Sequence, residues 1–421
     1  MKSLLYLLCG AVSAWPLAGQ EPAQAQPAIS RAAVSKEIAN MEAALSEVTG
    51  LKFHKDVPYA VITKADLHKF LEERMRDEVK PEEIHAQEIA LKMFGFLPPD
   101  YDLKQATIEL LTEQAAAFYD YHKKKLFILE TSESTPDLHT EAEKMALSHE
   151  LGHALADQNF HLDKYIRSGA QSDDASSARL AVMEGQASWL MTSYLSKLST
   201  GQTAIPPGVL ELMSHAVESS ASDYPVFAKA PLYLRESLVF PYTAGMLFQN
   251  AIYEKLGQQA FSEVFRRAPQ STQQIIHPQK YLDRVAPVIP PVPSIPDAKR
   301  YRKVGDGTLG EFDLRVLLQQ YAGKEEATAV APHMLGGIYQ VAESKQDQKP
   351  LMAFAVNWDT PDAARHFLRD YRKALSGKSK NCEFTTADDT HLEGRNDQGA
   401  FRVEVNEGRF ESLEGLPAQV H

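Results

Sequence analysis

His149, Glu150 and His153 stand in the run Leu147-Ser148-His149-Glu150-Leu151-Gly152-His153-Ala154, an H-E-x-x-H pattern. On a helix, residues four apart lie one above the other on the same face. Two imidazoles at that spacing reach a single Zn²⁺ at about 2.0–2.1 Å. Glu150 follows the first histidine directly, so its carboxylate points beside the metal rather than at it. There it can take a proton from a water that the metal activates, the general-base half of a hydrolytic reaction. Ala142, Met145, Ala146, His149, His153, Ala156 and Phe160 recur at helical spacing, so both histidines fall on the apolar stripe. Two unpaired histidines in a core are costly, and a metal satisfies both. A pair of hydrogen-bonded core histidines is the competing reading.

A third protein ligand must come from elsewhere. Asp157 continues the same face, but it lies about 12 Å from His149 along a helix axis, too far to converge. It is expected in an outer shell or at the helix end. The longer pattern H-E-x-x-H-x-x-G-x-x-H needs Gly and His where this chain has Ala156 and Asn159, so the metzincin arrangement fails. The better candidate is Glu184. Leu180, Met183, Ala187, Leu190, Met191, Tyr194 and Leu198 mark a second helix, with Asp173 and Asp174 near its start, where carboxylates favour a helix N-terminus. Glu184 borders that apolar stripe, and Gly185 beside it permits close helix approach. Antiparallel packing of the two helices would bring Glu184 to the histidine pair. A Glu184 paired to Arg179, or simply solvated, is the alternative.

Two histidines, a ligand glutamate and a base glutamate resemble the gluzincin metallopeptidases, the thermolysin-like group. More narrowly, L-S-H-E-L-G-H-A-L-A-D-Q-N-F, then M-E-G-Q-A, then P-Q-S-T-Q-Q-I-I-H-P-Q-K-Y look like a family of secreted bacterial metallopeptidases of poorly defined substrate. The resemblance covers about residues 30–370. It implies one Zn²⁺ per chain on His149, His153 and Glu184, with Glu150 as catalytic base. It also implies a zincin-like, helix-rich α+β domain. One departure stands out: thermolysin-like enzymes carry an Asp four residues after the ligand Glu, and this chain has Ser188 there.

Residues that cross such a cleft can stabilise a tetrahedral oxyanion. His277, Tyr281 and Tyr242 are the candidates, in that order. Ala116–Tyr121 and Lys125–Leu129 read as two strands around a His-Lys-Lys turn. In thermolysin-like folds a strand beside the active-site helix pairs with extended substrate, so one of these is expected to bind peptide by β-augmentation, or else to be an ordinary core hairpin.

Other segments position these groups. Ser30–Val48 is an amphipathic helix stopped by Gly50. Thr63 with Asp66 forms a capping box, and Pro81 opens a helix that ends near Gly95. Residues 206–219 and 232–267 are helical by pattern, with Pro241 breaking the second. Ala286 to Pro296 is a proline-rich, semi-rigid linker. After it the pattern changes to a small α+β domain, ferredoxin-like in outline. Its strands are expected near 336–341 and 351–358, a helix at 360–375, and a hairpin around the three-residue loop Asn406-Glu407-Gly408. The expected organisation is therefore a signal peptide at 1–25, the metallopeptidase domain at 26–285, the linker at 286–300 and the small domain at 301–421.

Composition fits a globular chain, with 44% apolar and 24% charged residues. The net charge of −12 argues against nucleic acid or an anionic membrane as main partner. Lys2, the apolar run Leu4–Val12 and the A-x-A at Ala23-Gln24-Ala25 read as a secretory signal; cuts after Ala14 or Gly19, or an uncleaved anchor, are the alternatives. A secreted or periplasmic chain follows. Cys9 leaves with that signal, so Cys382 stands alone and no internal disulfide forms.

Two functions of different class emerge. One is a secreted zinc endopeptidase acting on peptide or protein substrates. The other is a zinc-holding structural or binding protein without turnover. Glu150 favours the first, because a structural site needs no base and prefers four protein ligands. A non-peptidase zinc hydrolase on the same site is a further option.

Overall fold

The computed structural model describes residues 31–130, 140–220 and 224–417. The expected signal sequence lies outside them. Along the chain come α1 (Arg31–Thr49), β1 (Tyr59–Ile62), α2 (Lys64–Glu78), α3 (Pro81–Phe94), α4 (Leu103–Gln114), β2 (Ala117–Asp120) and β3 (Lys125–Leu129). Next are α5 (Glu141–Phe160), α6 (Leu162–Arg167), α7 (Asp173–Thr200), α8 (Val209–Ser220), α9 (Pro225–Lys229), α10 (Leu232–Leu256), α11 (Ala260–Arg266), α12 (Thr272–Ile276) and α13 (Pro278–Leu282). The C-terminal part holds β4 (Tyr301–Leu309), α14 (Glu311–Tyr321), α15 (Lys324–Val330), β5 (Met334–Ser344), β6 (Pro350–Trp358), α16 (Pro361–Gly377), β7 (Cys382–Ala387), β8 (His391–Asn396), β9 (Gly399–Asn406) and β10 (Arg409–Leu416). This is an α+β protein, as expected.

Local chemistry sets most boundaries. Thr140 and Glu143 close a reciprocal capping box at the start of α5, and Thr63 with Asp66 does the same for α2. Ser172 caps α7, whose first turn carries Asp173 and Asp174. Gly95 and Gly201 end α3 and α7 in the left-handed conformation that a Cβ disfavours.

Pro241 does not break its helix, contrary to expectation: α10 runs unbroken from Leu232 to Leu256. Proline offers no N–H to the Ser237 carbonyl, but burial of the helix against α7 outweighs one missing bond. The break falls at Gly257 instead, where φ is positive.

A three-stranded sheet of order β1-β3-β2 pairs β1 parallel and β2 antiparallel to β3, with Tyr119 opposite Leu126. The C-terminal sheet has order β4-β5-β6-β10-β9-β8-β7, and all its neighbours are antiparallel. That corrects the ferredoxin-like outline. Four strands, not one, follow the second helical layer, and β10 returns to lie beside β6. The alternating burial of β9 and β10 marks a sheet with one covered face, which the helix α16 supplies through Phe367 and Tyr371 on Phe410. The β9–β10 turn holds two residues, not three, because Asn406 pairs with Arg409; Glu407 takes the positive φ.

The proline-rich stretch is fastened down rather than spanning free space. Val288 N–H donates to Leu335 O at 2.9 Å, Asn357 Nδ2 to Val288 O at 3.1 Å, and Arg409 Nη2 to Pro291 O at 2.9 Å. One apolar core also runs across it. Leu71, Met75, Leu91 and Phe94 pack in the same cluster as Phe354, Phe367 and Phe410. A second cluster gathers α1, α5, α7 and α10 around Leu151, Leu155, Leu190 and Phe248. The metal-type motif belongs to that second core. Among the described residues, no helix is long and apolar enough to cross a membrane.

Candidate metal centre

α5 and α7 lie side by side, and Gly152 sets their spacing. A Cβ at Gly152 would come within 3.2 Å of Ala187 Cα. On the far side of α7, a Cβ at Gly185 would overlap Gly245 of α10, 2.1 Å from its carbonyl carbon. These small residues let three helices approach backbone to backbone. The expected close approach at Gly185 is therefore real, and its partner is α10.

That spacing brings three side chains to one point. His149 Nε2 lies 3.1 Å from Glu184 Oε2, His153 Nε2 lies 3.2 Å from the same oxygen, and the two nitrogens are 3.1 Å apart. All three residues are buried. Hydrogen bonds alone do not account for this triangle. Each Nε2 carries at most one proton, and a protonated nitrogen has no lone pair to accept another. With Glu184 ionised, at least one edge stays unfilled. A divalent cation would fit the convergence: a tetrahedral site with bonds of about 2.0–2.1 Å has edges of about 3.3–3.4 Å. The observed edges fall just short of that span. The donor set, two imidazoles and one carboxylate, suits Zn²⁺.

Electrostatics keep Glu184 ionised at this point. Burial pushes the Glu184 carboxyl up, but the charge of His153 and hydrogen bonds from both histidines outweigh it and hold the group down to about 2. Burial pulls His153 down, yet Glu184 and then Glu150 raise it. Arg179, the other imagined partner of Glu184, is occupied elsewhere, donating to Ala175 O and Pro269 O.

Glu150 sits beside the triangle, 2% exposed. Its Oε2 accepts the backbone N–H of Tyr119 at 2.6 Å. Tyr119 was not singled out by the sequence, because a backbone contact leaves no side-chain signature. Its phenol reaches further along α5, donating to Asp157 Oδ2 at 2.9 Å. Burial, with Asp157 beside it, raises the Tyr119 phenol well above its ordinary range, so it stays protonated. Asp157 also accepts Lys124 Nζ at 2.7 Å and Leu162 N–H at 3.1 Å. It is a helix-end contact, one of the two roles expected.

The strand reading changes in one respect. β3 lies between β1 and β2, so of the two candidate strands only β2 stands at an edge of the sheet. That edge faces α5, and its Tyr119 N–H is already given to Glu150. Peptide cannot pair with that N–H unless Glu150 releases it.

The three oxyanion candidates separate cleanly. Tyr242, ranked last, stacks on His149 with ring centroids 5.8 Å apart. Tyr281 is a core residue, its hydroxyl donating to Arg267 O at 2.8 Å. His277, ranked first, pairs through Nε2 with both oxygens of Glu311 at 3.0 Å. It belongs to a polar seam that joins the start of α7 to the C-terminal part. There Asp174 accepts the N–H and hydroxyl of Thr272, Tyr339 donates to Asp173 at 3.0 Å, and Tyr233 donates to Asp313 at 2.7 Å. Asp174 lies about 15 Å along α7 from Glu184. Glu311, the partner that takes His277, is distant in sequence, so no local pattern announces the pair.

Comparison with known proteins adds little to this geometry. Residues 299–419 match a domain of unknown function, DUF8575. No curated protein matches the chain. A solved structure from Chloroflexus aurantiacus, described as "a putative hydrolase with a novel fold", aligns over 61% of this chain and 92% of that one, at 15% identity and a TM-score of 0.35. A likeness that slight carries no argument about fold or activity.

Proposed function

We propose that this chain is a zinc-dependent peptidase that hydrolyses peptide bonds at the His149–His153–Glu184 centre, in the manner of the gluzincins. The observation that carries the reading is the placement of Glu150. It lies on the same helix as two converging imidazoles, its carboxylate outside the triangle and held by Tyr119 N–H. A purely structural site has no use for such a base.

His149, His153 and Glu184 would hold the metal through Nε2, Nε2 and Oε2. When bound, Zn²⁺ would supply Lewis acidity, polarising the scissile carbonyl and acidifying a water. Glu150 would accept the proton of the attacking water on its carboxylate and deliver it to the leaving amine. The Tyr119 N–H fixes one of its oxygens and so orients the carboxylate. Tyr242 packs its ring on His149 and would help to hold that imidazole in place. With three protein donors, a coordination position stays open to solvent or substrate, as hydrolytic zinc sites require. A leader that sends the chain out of the cytoplasm, read from residues 1–25, fits a peptidase acting outside the cell or in the periplasm.

The test is Glu150→Gln assayed on a mixed peptide library, with parent and chelator-treated parent as references. The variant should keep its zinc and lose cleavage by roughly two orders of magnitude or more, the scale of general acid–base catalysis. Cleavage at the parent rate, or cleavage that a chelator leaves untouched, refutes the proposal.

A further inference from the structure

A second cluster of metal-type donors lies far from α5 in sequence, on the helical layer of the C-terminal part. His366 and Asp370 sit four apart on α16, and Glu326 faces them from α15. His366 Nε2 is 2.8 Å from Glu326 Oε2 and 3.7 Å from Asp370 Oδ2. The three donor atoms all lie within 4.8 Å of one another.

Asp370 distinguishes this from an ordinary surface ion pair. The residue is 2% exposed, and its Oδ2 is buried without a hydrogen-bond partner among the described residues. Its other oxygen, Oδ1, takes Lys373 Nζ at 2.7 Å. Leaving a buried carboxylate oxygen unsatisfied is costly. Lys373 orients the carboxylate so that the bare oxygen turns towards the imidazole. Glu326 and His366 are about one-third exposed, so the cluster opens to solvent on the side away from Asp370.

We propose that Glu326, His366 and Asp370 form a second divalent-cation site, for a first-row transition ion such as Zn²⁺. An imidazole with two carboxylates suits Zn²⁺, whereas Mg²⁺ and Ca²⁺ prefer an all-oxygen shell. The two edges at His366, 2.8 and 3.7 Å, bracket those of a tetrahedral site, and water would complete the coordination on the open side. Glu326 stands on α15 and His366 and Asp370 on α16, so a bound cation would tie the two helices together. Lys373 opposes the cation, which gives the site a signature: its affinity is limited by a removable positive charge. The inference does not depend on the peptidase reading, since it rests on other residues.

Zinc stoichiometry and affinity of the full chain decide it, measured by calorimetric titration with Zn²⁺ and, separately, Mg²⁺. The parent should bind two Zn²⁺. His366→Ala, and the milder Glu326→Gln at a part-exposed position, should each leave one, while His149→Ala removes the other. Lys373→Gln should tighten the weaker Zn²⁺ site roughly three- to tenfold by removing the opposed charge. Mg²⁺ should not compete. One equivalent in the parent, unchanged by His366→Ala and by Glu326→Gln, overturns the site whatever becomes of the first. If His149→Ala leaves stoichiometry unchanged while His366→Ala lowers it, the second site stands and the first falls.

Discussion

Tyr119 is joined to the metal-type helix through Glu150: its backbone N–H gives Glu150 Oε2 a 2.6 Å hydrogen bond, and its phenol grips Asp157 two turns further on. The edge strand and the helix are thereby fixed in register at two points. One contact bears on chemistry and the other on stability, so the two can be separated by mutation.

Tyr119→Phe keeps the backbone donor to Glu150 and removes only the phenol's bond to Asp157. Stability should fall by about 1 kcal/mol, the net worth of one buried hydrogen bond. Asp157 keeps Lys124 and the Leu162 N–H. The rate of peptide cleavage should stay within a few-fold of the parent. Denaturant midpoints and initial rates on one preparation check both halves; a collapse of rate without loss of stability would assign the phenol to the reaction.

Glu184→Ala removes one of three converging donors. Zinc affinity, read by competition with a chelator, should drop by more than the 10–100-fold typical of losing an outer-shell partner. In the parent, free Zn²⁺ at 100 times its Kd should add about 2.7 kcal/mol of stability, and the variant should show far less at the same concentration. Equal affinity in the two proteins would assign the third ligand elsewhere.

Gly185→Ala tests the helix crossing. The added methyl would sit 2.1 Å from the Gly245 carbonyl carbon, so α7 and α10 must part. Overpacking of this kind costs about 1–3 kcal/mol or more. A thermal midpoint equal to the parent's would show that the helices do not pack this closely.

The polar seam at the start of α7 should make stability depend on pH. Burial pushes Asp313 up to about 7, against hydrogen bonds from Gly310 and Tyr233. Burial likewise pushes Asp174 up to about 6, with Thr272 opposing. A carboxyl raised on folding binds its proton more tightly in the native state. Its contribution is therefore complete below the unfolded value near 4 and is lost as pH rises through 6 and 7. Between pH 5 and pH 8 the parent should lose a few kcal/mol, and Asp313→Asn should lose less. Urea unfolding at the two pH values measures the difference; identical slopes would mean that Asp313 titrates normally.

The sequence by itself determined the parts whose physics is local. The H-E-x-x-H spacing, the capping box at Thr63, the glycine stops at Gly50 and Gly95, the apolar strands β5 and β6 and the alternating strands β9 and β10 are written in residues a few positions apart. Glu184 was legible as a candidate because it borders an apolar stripe beside a glycine. Its meeting with His149 and His153 was decided by tertiary packing, through the close contacts at Gly152 and Gly185. The same holds for Tyr119 on Glu150, since a backbone donor has no residue type to read. Packing also settled the surroundings of His277 and Pro241. A polar ring takes whichever partner folding brings, here Glu311, and a proline tolerates a helix when burial outweighs its missing bond. Local rules fix what a segment can form, while long-range packing chooses which side chains share a site.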